Sequence, residues 1–142
     1  MGTKRPTNEN IHIGDVFMHS CSDECGSSCS FYQVVGLRGK TLVELRPIRC
    51  EDYVDETCDL GYGQVKVRPL PGQFWENMEV NTVRACGTDE ETGRNWLRER
   101  GETSRVFGTY YSQVLGDEIG HRSGYDGFYS IINLKKEGKI PL

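Results

Sequence analysis

Apolar and polar residues alternate in short runs along most of this chain, and turn residues separate the runs. Alternation with a period of two is typical of strands that bury one face in a sheet. Seventeen glycines fit the many turns that such a fold needs. The pattern predicts strands at residues 11–19, 30–36, 41–49, 64–68, 80–86, 105–115 and 128–134.

The best-defined predicted unit is a β-hairpin over residues 30–49. The first strand is rich in aromatic and β-branched residues, and the sequence Leu-Arg-Gly-Lys at 37–40 is predicted to form its tip. In a hairpin whose turn is centred on residues 38–40, two residues lie opposite each other when their numbers sum to about 77–79. Cys29 should then lie across from residues 48–50.

One short helix is predicted over residues 89–100. Thr88 followed by Glu91 fits a capping box, and a glycine follows the segment. In this helix Trp96 and Leu97 should face inward.

These elements predict a mainly β (α+β) protein forming a single small domain. We expect a curled antiparallel sheet or an open barrel with one short helix. Residues 1–10 are expected to be a disordered arm, 11–134 the domain and 135–142 a loose tail. No apolar run indicates a signal peptide or membrane span, so the cytoplasm is the expected location.

The net charge of −4 argues against a general duplex-binding protein, which usually has a basic face. Five acids fall within residues 51–59, and four arginines fall within 94–105. Both runs are more often solvated surface than functional sites. The arginines are Arg94, Arg98, Arg100 and Arg105.

Three evenly spaced cysteines, Cys21, Cys25 and Cys29, carry the clearest chemical signal. The residues between them are loop formers, so the segment could wrap an ion, and zinc prefers four soft or borderline ligands. The hairpin register nominates Cys50 as the fourth ligand. We therefore predict a structural Zn²⁺ site, because four thiolates leave no open position for catalysis. Free thiols and disulfides remain the alternatives.

Two other side chains are weaker candidates for the fourth position: Cys58, and then His19, which lies two residues before Cys21. Apart from metal binding, Cys58 and Cys86 are expected to be small buried hydrophobic residues. The loop at Asp23 and Glu24 would be acidic, and it should attract a basic protein surface.

No catalytic motif is complete, so we do not expect an enzyme. His12, His19 and His121 could act as bases, but no nucleophile motif or phosphate loop accompanies them. Most aromatic residues are expected in the core, and any exposed ones could anchor a protein interface.

Six segments of the chain have a familiar sequence: 14–17 (GDVF), 31–35 (FYQVV), 39–41 (GKT), 44–48 (ELRPI), 65–74 (VKVRPLPGQF) and 125–127 (YDG). They resemble small uncharacterised proteins of bacterial phages and mobile elements, which implies a bacterial host cell. Those relatives often have a Trp-Gly-Tyr loop between the first two strands, where this chain has its three cysteines, so the metal site is not implied by the resemblance.

The chain also resembles anti-CRISPR proteins that inhibit Cas9 in type II-A systems. This resemblance implies a stoichiometric inhibitor that binds Cas9, or another basic bacterial protein, and blocks loading or cleavage of target DNA. Binding to free nucleic acid is not expected of such an inhibitor. The alternative is a zinc-containing nucleic-acid-binding regulator of a mobile element, which would place the arginines of 94–105 on phosphates.

Overall fold

The computed structural model describes residues 6–100 and 109–141. Within these residues it shows a mainly β protein with eight antiparallel strands and one α-helix. The strands are β1 (Val16–Asp23), β2 (Gly26–Arg38), β3 (Leu42–Tyr53), β4 (Val65–Phe74), β5 (Asn81–Thr88), β6 (Asn95–Glu99), β7 (Tyr110–Gln113) and β8 (Gly120–Ser123). The helix α1 spans Gly124–Lys136, and a short 3-10 helix, η1, spans Leu60–Tyr62.

The strands form one sheet that curls round on itself. From β1 the pairing passes to β2 and β3, continues through β5, β6 and β7, and returns to β1. A second set of pairings runs from β3 through β4 and β8 back to β2. The β2–β3 ribbon therefore belongs to both circuits. The mainly β, antiparallel character that the alternating pattern predicted is confirmed.

Three apolar clusters fill the interior. The largest is formed by inward-facing positions of the first circuit, with Phe17, Val43 and Leu45 fully buried. A second cluster contains Cys29 and Phe31 and lies between the central ribbon and β4. The third lies under α1 and consists of Val65, Ile131 and Leu134, with Val54 and Ile140 packed against it.

The predicted hairpin is confirmed, including its register near the cysteines. Phe31 lies opposite Ile48 and Val34 opposite Leu45, so both pairs of residue numbers sum to 79. Toward the tip, a bulge after Val34 shifts the register by one residue. Of the predicted strand at 105–115, Tyr110–Gln113 is observed as β7, and residues 105–108 lie outside the described part of the chain.

The helix predicted over 89–100 is wrong, because this segment is the turn and second strand of the β5–β6 hairpin. The amide of Asp89 donates to the carbonyl of Arg94, and Gly93 adopts a φ of 75°. The Asp89 carboxylate also accepts the Glu91 amide. Such local side-chain bonds stabilise turns as well as helix caps, so they do not distinguish the two. Trp96, predicted to face inward, is 40% exposed.

The strand predicted at 128–134 is also wrong, since these residues belong to α1. A run of aromatic and β-branched residues favours a strand by propensity, but tertiary packing overrides it here. Gly127, Ser130, Ile131 and Leu134 face the protein, which is helical spacing.

Parts of the expected disordered arm and loose tail are docked on the domain. Asn8 is buried, and its side-chain amide donates to the carbonyl of Leu42 at 2.8 Å. At the other end, the amide of Lys139 donates to the carbonyl of Leu134, and Ile140 packs beneath the helix. Residues 1–5 and 142 lie outside the described part of the chain.

Two glycines allow α1 to lie directly against the backbone after η1. Gly63, at a φ of 66°, presents its carbonyl oxygen to Gly127. A Cβ added at Gly127 would lie 1.5 Å from that oxygen, which is far inside contact distance. The helix therefore depends on the absence of a side chain at residue 127.

Gly127→Ala should destabilise the protein by about 1–3 kcal/mol, the usual cost of overpacking. An alanine in place of glycine inside an exposed helix normally stabilises the helix by up to ~1 kcal/mol. The change in stability expected here is therefore opposite in sign to the change that helix propensity alone predicts. Urea unfolding followed by circular dichroism measures the change. Asn133→Ala, at an exposed position of the same helix, is the matched control and should be neutral or slightly stabilising. Unchanged stability in Gly127→Ala would contradict the close approach.

Candidate functional site

The β1–β2 hairpin places two of the predicted zinc ligands on opposite faces of the ribbon. Cys21 lies opposite Ser28, and Cys29 lies opposite Ser20. Residues directly opposite each other in an antiparallel pair point to the same face, and adjacent residues point to opposite faces. Cys21 is accordingly exposed, whereas Cys29 is 3% exposed.

Cys25 lies in the tight turn of this hairpin. Its amide donates to the Asp23 carboxylate at 2.8 Å, and its carbonyl accepts the amide of Tyr125 at 3.0 Å. Gly26 and Gly124 form an isolated bridge beside this contact. The turn is thus fixed to the start of α1, and the Cys25 residue is exposed.

Cys29 and Cys50 do come together, as the hairpin register predicted. Both belong to the second apolar cluster, beside the Arg122 guanidinium. Nη2 of Arg122 lies 3.5 Å from Sγ of Cys50 and 3.5 Å from the carbonyl oxygen of Cys29. Nη1 of the same group donates to both carboxylate oxygens of Asp52, at 2.7 and 2.9 Å. Arg122 therefore links β8 to β2 and β3.

Burial controls the chemistry of both thiols. It raises the pKa of Cys29 to about 11, although the nearby Arg122 charge acts in the opposite direction. Burial also raises the pKa of Cys50, again against the influence of Arg122. Both side chains are therefore neutral thiols at physiological pH, and neutral thiols react slowly as nucleophiles.

The alternative zinc ligands lie in other surroundings. Nδ1 of His19 donates to the carbonyl of Tyr110 at 3.0 Å. The Cys58 thiol donates to the Asp55 carboxylate at 3.6 Å. Within residues 6–100 and 109–141, no three His, Cys, Asp or Glu side chains are grouped closely enough to hold a metal ion. The four-cysteine zinc site therefore stays a prediction, and it would require a different register of the β1–β2 hairpin.

The acidic run at 51–59 is largely paired within the protein. Glu51 contacts Arg68, Asp52 contacts Arg122 and Asp55 contacts Lys66, while the Asp59 carboxylate accepts the amide of Gly61 and caps η1. These acids are therefore structural partners of nearby cations and amides.

The described arginines of the 94–105 run, Arg94, Arg98 and Arg100, lie in different surroundings. Arg94 forms a bidentate pair with Glu118, at 2.8 and 2.9 Å, and also donates to the carbonyl of Gln113. Arg98 points outward from β6 and Arg100 is exposed just beyond it, whereas residue 105 lies outside the described residues. The contacts of Arg94 therefore stabilise the end of β7 and the segment that follows it.

The outward side of α1 is an unusual surface that the sequence pattern does not reveal. Tyr125, Phe128, Tyr129 and Ile132 are between 41% and 67% exposed. Their spacing of three, four and seven residues places them on one side of the helix, which we call the aromatic face. Leu60 and Tyr62 of the adjoining η1 are exposed as well.

Comparisons of this chain with protein-family models, with curated proteins and with solved structures find no match. Among the described residues, no helix has the length and apolar character needed to cross a membrane. Function is therefore inferred from the chemistry of the surfaces.

Thiol labelling separates the observed arrangement from a closed zinc site. With iodoacetamide at pH 8, Cys21 and Cys25 should be modified first, because they are exposed. Cys50, which is partly buried and has a raised pKa, should follow, and the buried Cys29 should be modified last. Peptide mass spectrometry after timed quenching gives the order.

Elemental analysis and a chelator complete this test. Suppose that Cys21 and Cys25 resist iodoacetamide until a chelator is added, and that the protein contains one zinc per chain. This result would contradict the observed register and support the four-cysteine site. Cys86→Ser serves as the control, because Cys86 belongs to neither arrangement.

Proposed function

We propose that this protein acts by binding another protein through the aromatic face of α1. One observation carries the proposal: the four side chains of this face are large, apolar or aromatic, and exposed on one side of a docked helix. Contiguous exposed apolar patches are uncommon on monomeric proteins, and they mark sites of interaction.

The inward side of the same helix strengthens this argument. Ile131 and Leu134 already bury their side chains in the third cluster, so the fold does not need the opposite side to be apolar. A helix that is hydrophobic all round is normally buried on all sides. Tyrosines are also strongly enriched among the residues that dominate binding energy at interfaces. The aromatic face therefore fits an apolar groove on a partner.

Charges around the face indicate the chemistry of that partner. Asp126 is exposed in the first turn of α1, and the neighbouring hairpin turn carries the exposed Asp23 and Glu24. Two contacts hold this turn to the helix, the bridge from Gly26 to Gly124 and the bond from Tyr125 to Cys25. The last turn of α1 carries Lys135 and Lys136 instead. The complementary partner therefore has an apolar groove whose rim is basic beside the first turn of the helix.

Cas9 is the partner that the sequence resemblance implies, and its nucleic-acid-binding surfaces are basic. We accordingly propose a stoichiometric Cas9 inhibitor, not an enzyme, that docks with the aromatic face and blocks loading or cleavage of target DNA. The support is the resemblance together with this charge and surface complementarity.

The double substitution Tyr129→Ser and Ile132→Ser should weaken binding to type II-A Cas9 at least tenfold, because truncating two central apolar contacts typically costs more than ~1.4 kcal/mol. Biolayer interferometry with purified Cas9, with and without guide RNA, measures the dissociation constant, and a DNA-cleavage assay measures inhibition. Ile13→Ser is the matched control, since Ile13 is 68% exposed and lies outside the face. It should leave both values unchanged.

Three results would contradict this proposal in different ways. No binding of the unaltered protein to Cas9 would exclude that partner. Equal binding by the double variant would exclude the aromatic face as the contact surface. A dimer of the unaltered protein in analytical ultracentrifugation that the double variant does not form would assign the face to self-association.

A further inference from the structure

Three arginines from separate parts of the sequence lie in one row across the outside of the sheet. Arg38 of β2 is opposite Leu42 of β3, Leu42 is also opposite Arg84 of β5, and Arg84 is opposite Arg98 of β6. Directly opposite residues share a face. The neighbours Val83, Ala85 and Leu97 are buried, so the row faces solvent. We call Arg38, Arg84 and Arg98 the arginine row.

The arrangement of these charges is unfavourable for the isolated protein. Arg84 and Arg98 are directly opposite each other, where like charges destabilise a sheet. None of the ion pairs among the described residues involves a member of the row. Places where a sequence breaks a local rule without compensation within the fold are expected at functional sites. An anionic ligand would supply the missing compensation.

Aromatic side chains continue this surface. Tyr110 of β7 lies directly opposite Arg98 and is 44% exposed. Trp96 is the preceding outward residue on β6. Arg84 and Arg98 also border a surface hollow of about 580 Å³, together with Pro6, Thr41 and Cys86. Cations, exposed rings and a hollow therefore occupy one side of the sheet.

We infer that this surface binds single-stranded nucleic acid. The arginine row would contact successive phosphates, and Tyr110 and Trp96 would stack on bases. Stacking on side chains needs bases whose faces are free, which a single strand offers and a duplex does not. The inference is independent of the proposed Cas9 interaction, because it uses other residues on other elements.

The acidic net charge does not oppose this local interaction. Glu51, Asp52 and Asp55 are each paired with a cation of β4 or β8, away from the row. Glu44 shares the outer face with the row, opposite Gly36 and Thr82, so three arginines and one carboxylate face a strand bound here. At 0.1 M salt, charges more than ~10 Å away are largely screened. Net charge and the resemblance were the reasons for predicting that free nucleic acid is not a ligand. Neither contains information on the register of β5 and β6, which brings Arg84 and Arg98 together.

Fluorescence anisotropy with a labelled 12-nucleotide oligothymidylate tests the inference over a range of salt concentrations. The double variant Arg84→Ala and Arg98→Ala should bind at least tenfold more weakly, and the slope of log K against log salt should fall by about 0.7 for each phosphate that the variant no longer neutralises. Tyr110→Ala should weaken binding about tenfold with little change in slope. Arg84→Ala alone should weaken binding in part, and Arg68→Ala, which removes the same single charge, is its control and should behave as the unaltered protein, because Arg68 is paired with Glu51 on another strand.

Other ligands and variants define the results that would overturn the inference. Equal affinity for a duplex of the same length, or for polyglutamate, would show general attraction of anions. Equal weakening by Arg68→Ala would show that total charge alone matters. The Tyr129→Ser and Ile132→Ser variant should retain oligonucleotide binding, so failure of this inference is distinguishable from failure of the Cas9 proposal. Circular dichroism should confirm that all variants remain folded.

Discussion

The contact between Gly127 and the Gly63 carbonyl determines how the only described α-helix is presented. Because the two backbones touch there, the side of α1 that carries Gly127 must face the backbone after η1. Ile131 and Leu134 then enter the third cluster, and the four residues of the aromatic face must point away from it. A side chain at residue 127 would lift or rotate the helix. The interaction surface is thus a consequence of backbone packing as much as of the exposed residues themselves.

Local alternation was sufficient to predict most strands and the central hairpin. The apolar positions of this hairpin have a clear period of two, and a glycine marks its tip. The pairing of its strands, and with it the proximity of Cys29 to Cys50, could therefore be predicted. The helix did not follow, because residues 125–134 are apolar on both sides and show no single period. The β5–β6 turn was mistaken for a helix start because Asp and Thr form similar local bonds in both.

The candidate sites depended on information that local patterns do not contain. The sequence suggested a loop through all three clustered cysteines, but β1 continues to Asp23 and β2 resumes at Gly26, so strand register decides which sulfur is buried. The arginine row needs the pairing of β3 with β5 and of β5 with β6, which joins residues that are far apart along the chain. The charge run at 94–105 included one member of the row, Arg98, but it also pointed to Arg94, which is held by Glu118, and it missed Arg38 and Arg84.

The long strand β2 has a mechanical consequence. Its first residue bridges to the start of α1, and its last residue is Arg38 of the arginine row. Thirteen residues of extended chain cover roughly 40 Å, less any shortening by twist. Because β2 is hydrogen-bonded to β1, β3 and β8, it behaves as a stiff spacer. A protein bound at the α1 end of β2 and a nucleic-acid strand bound at the Arg38 end would be held apart by the length of this strand.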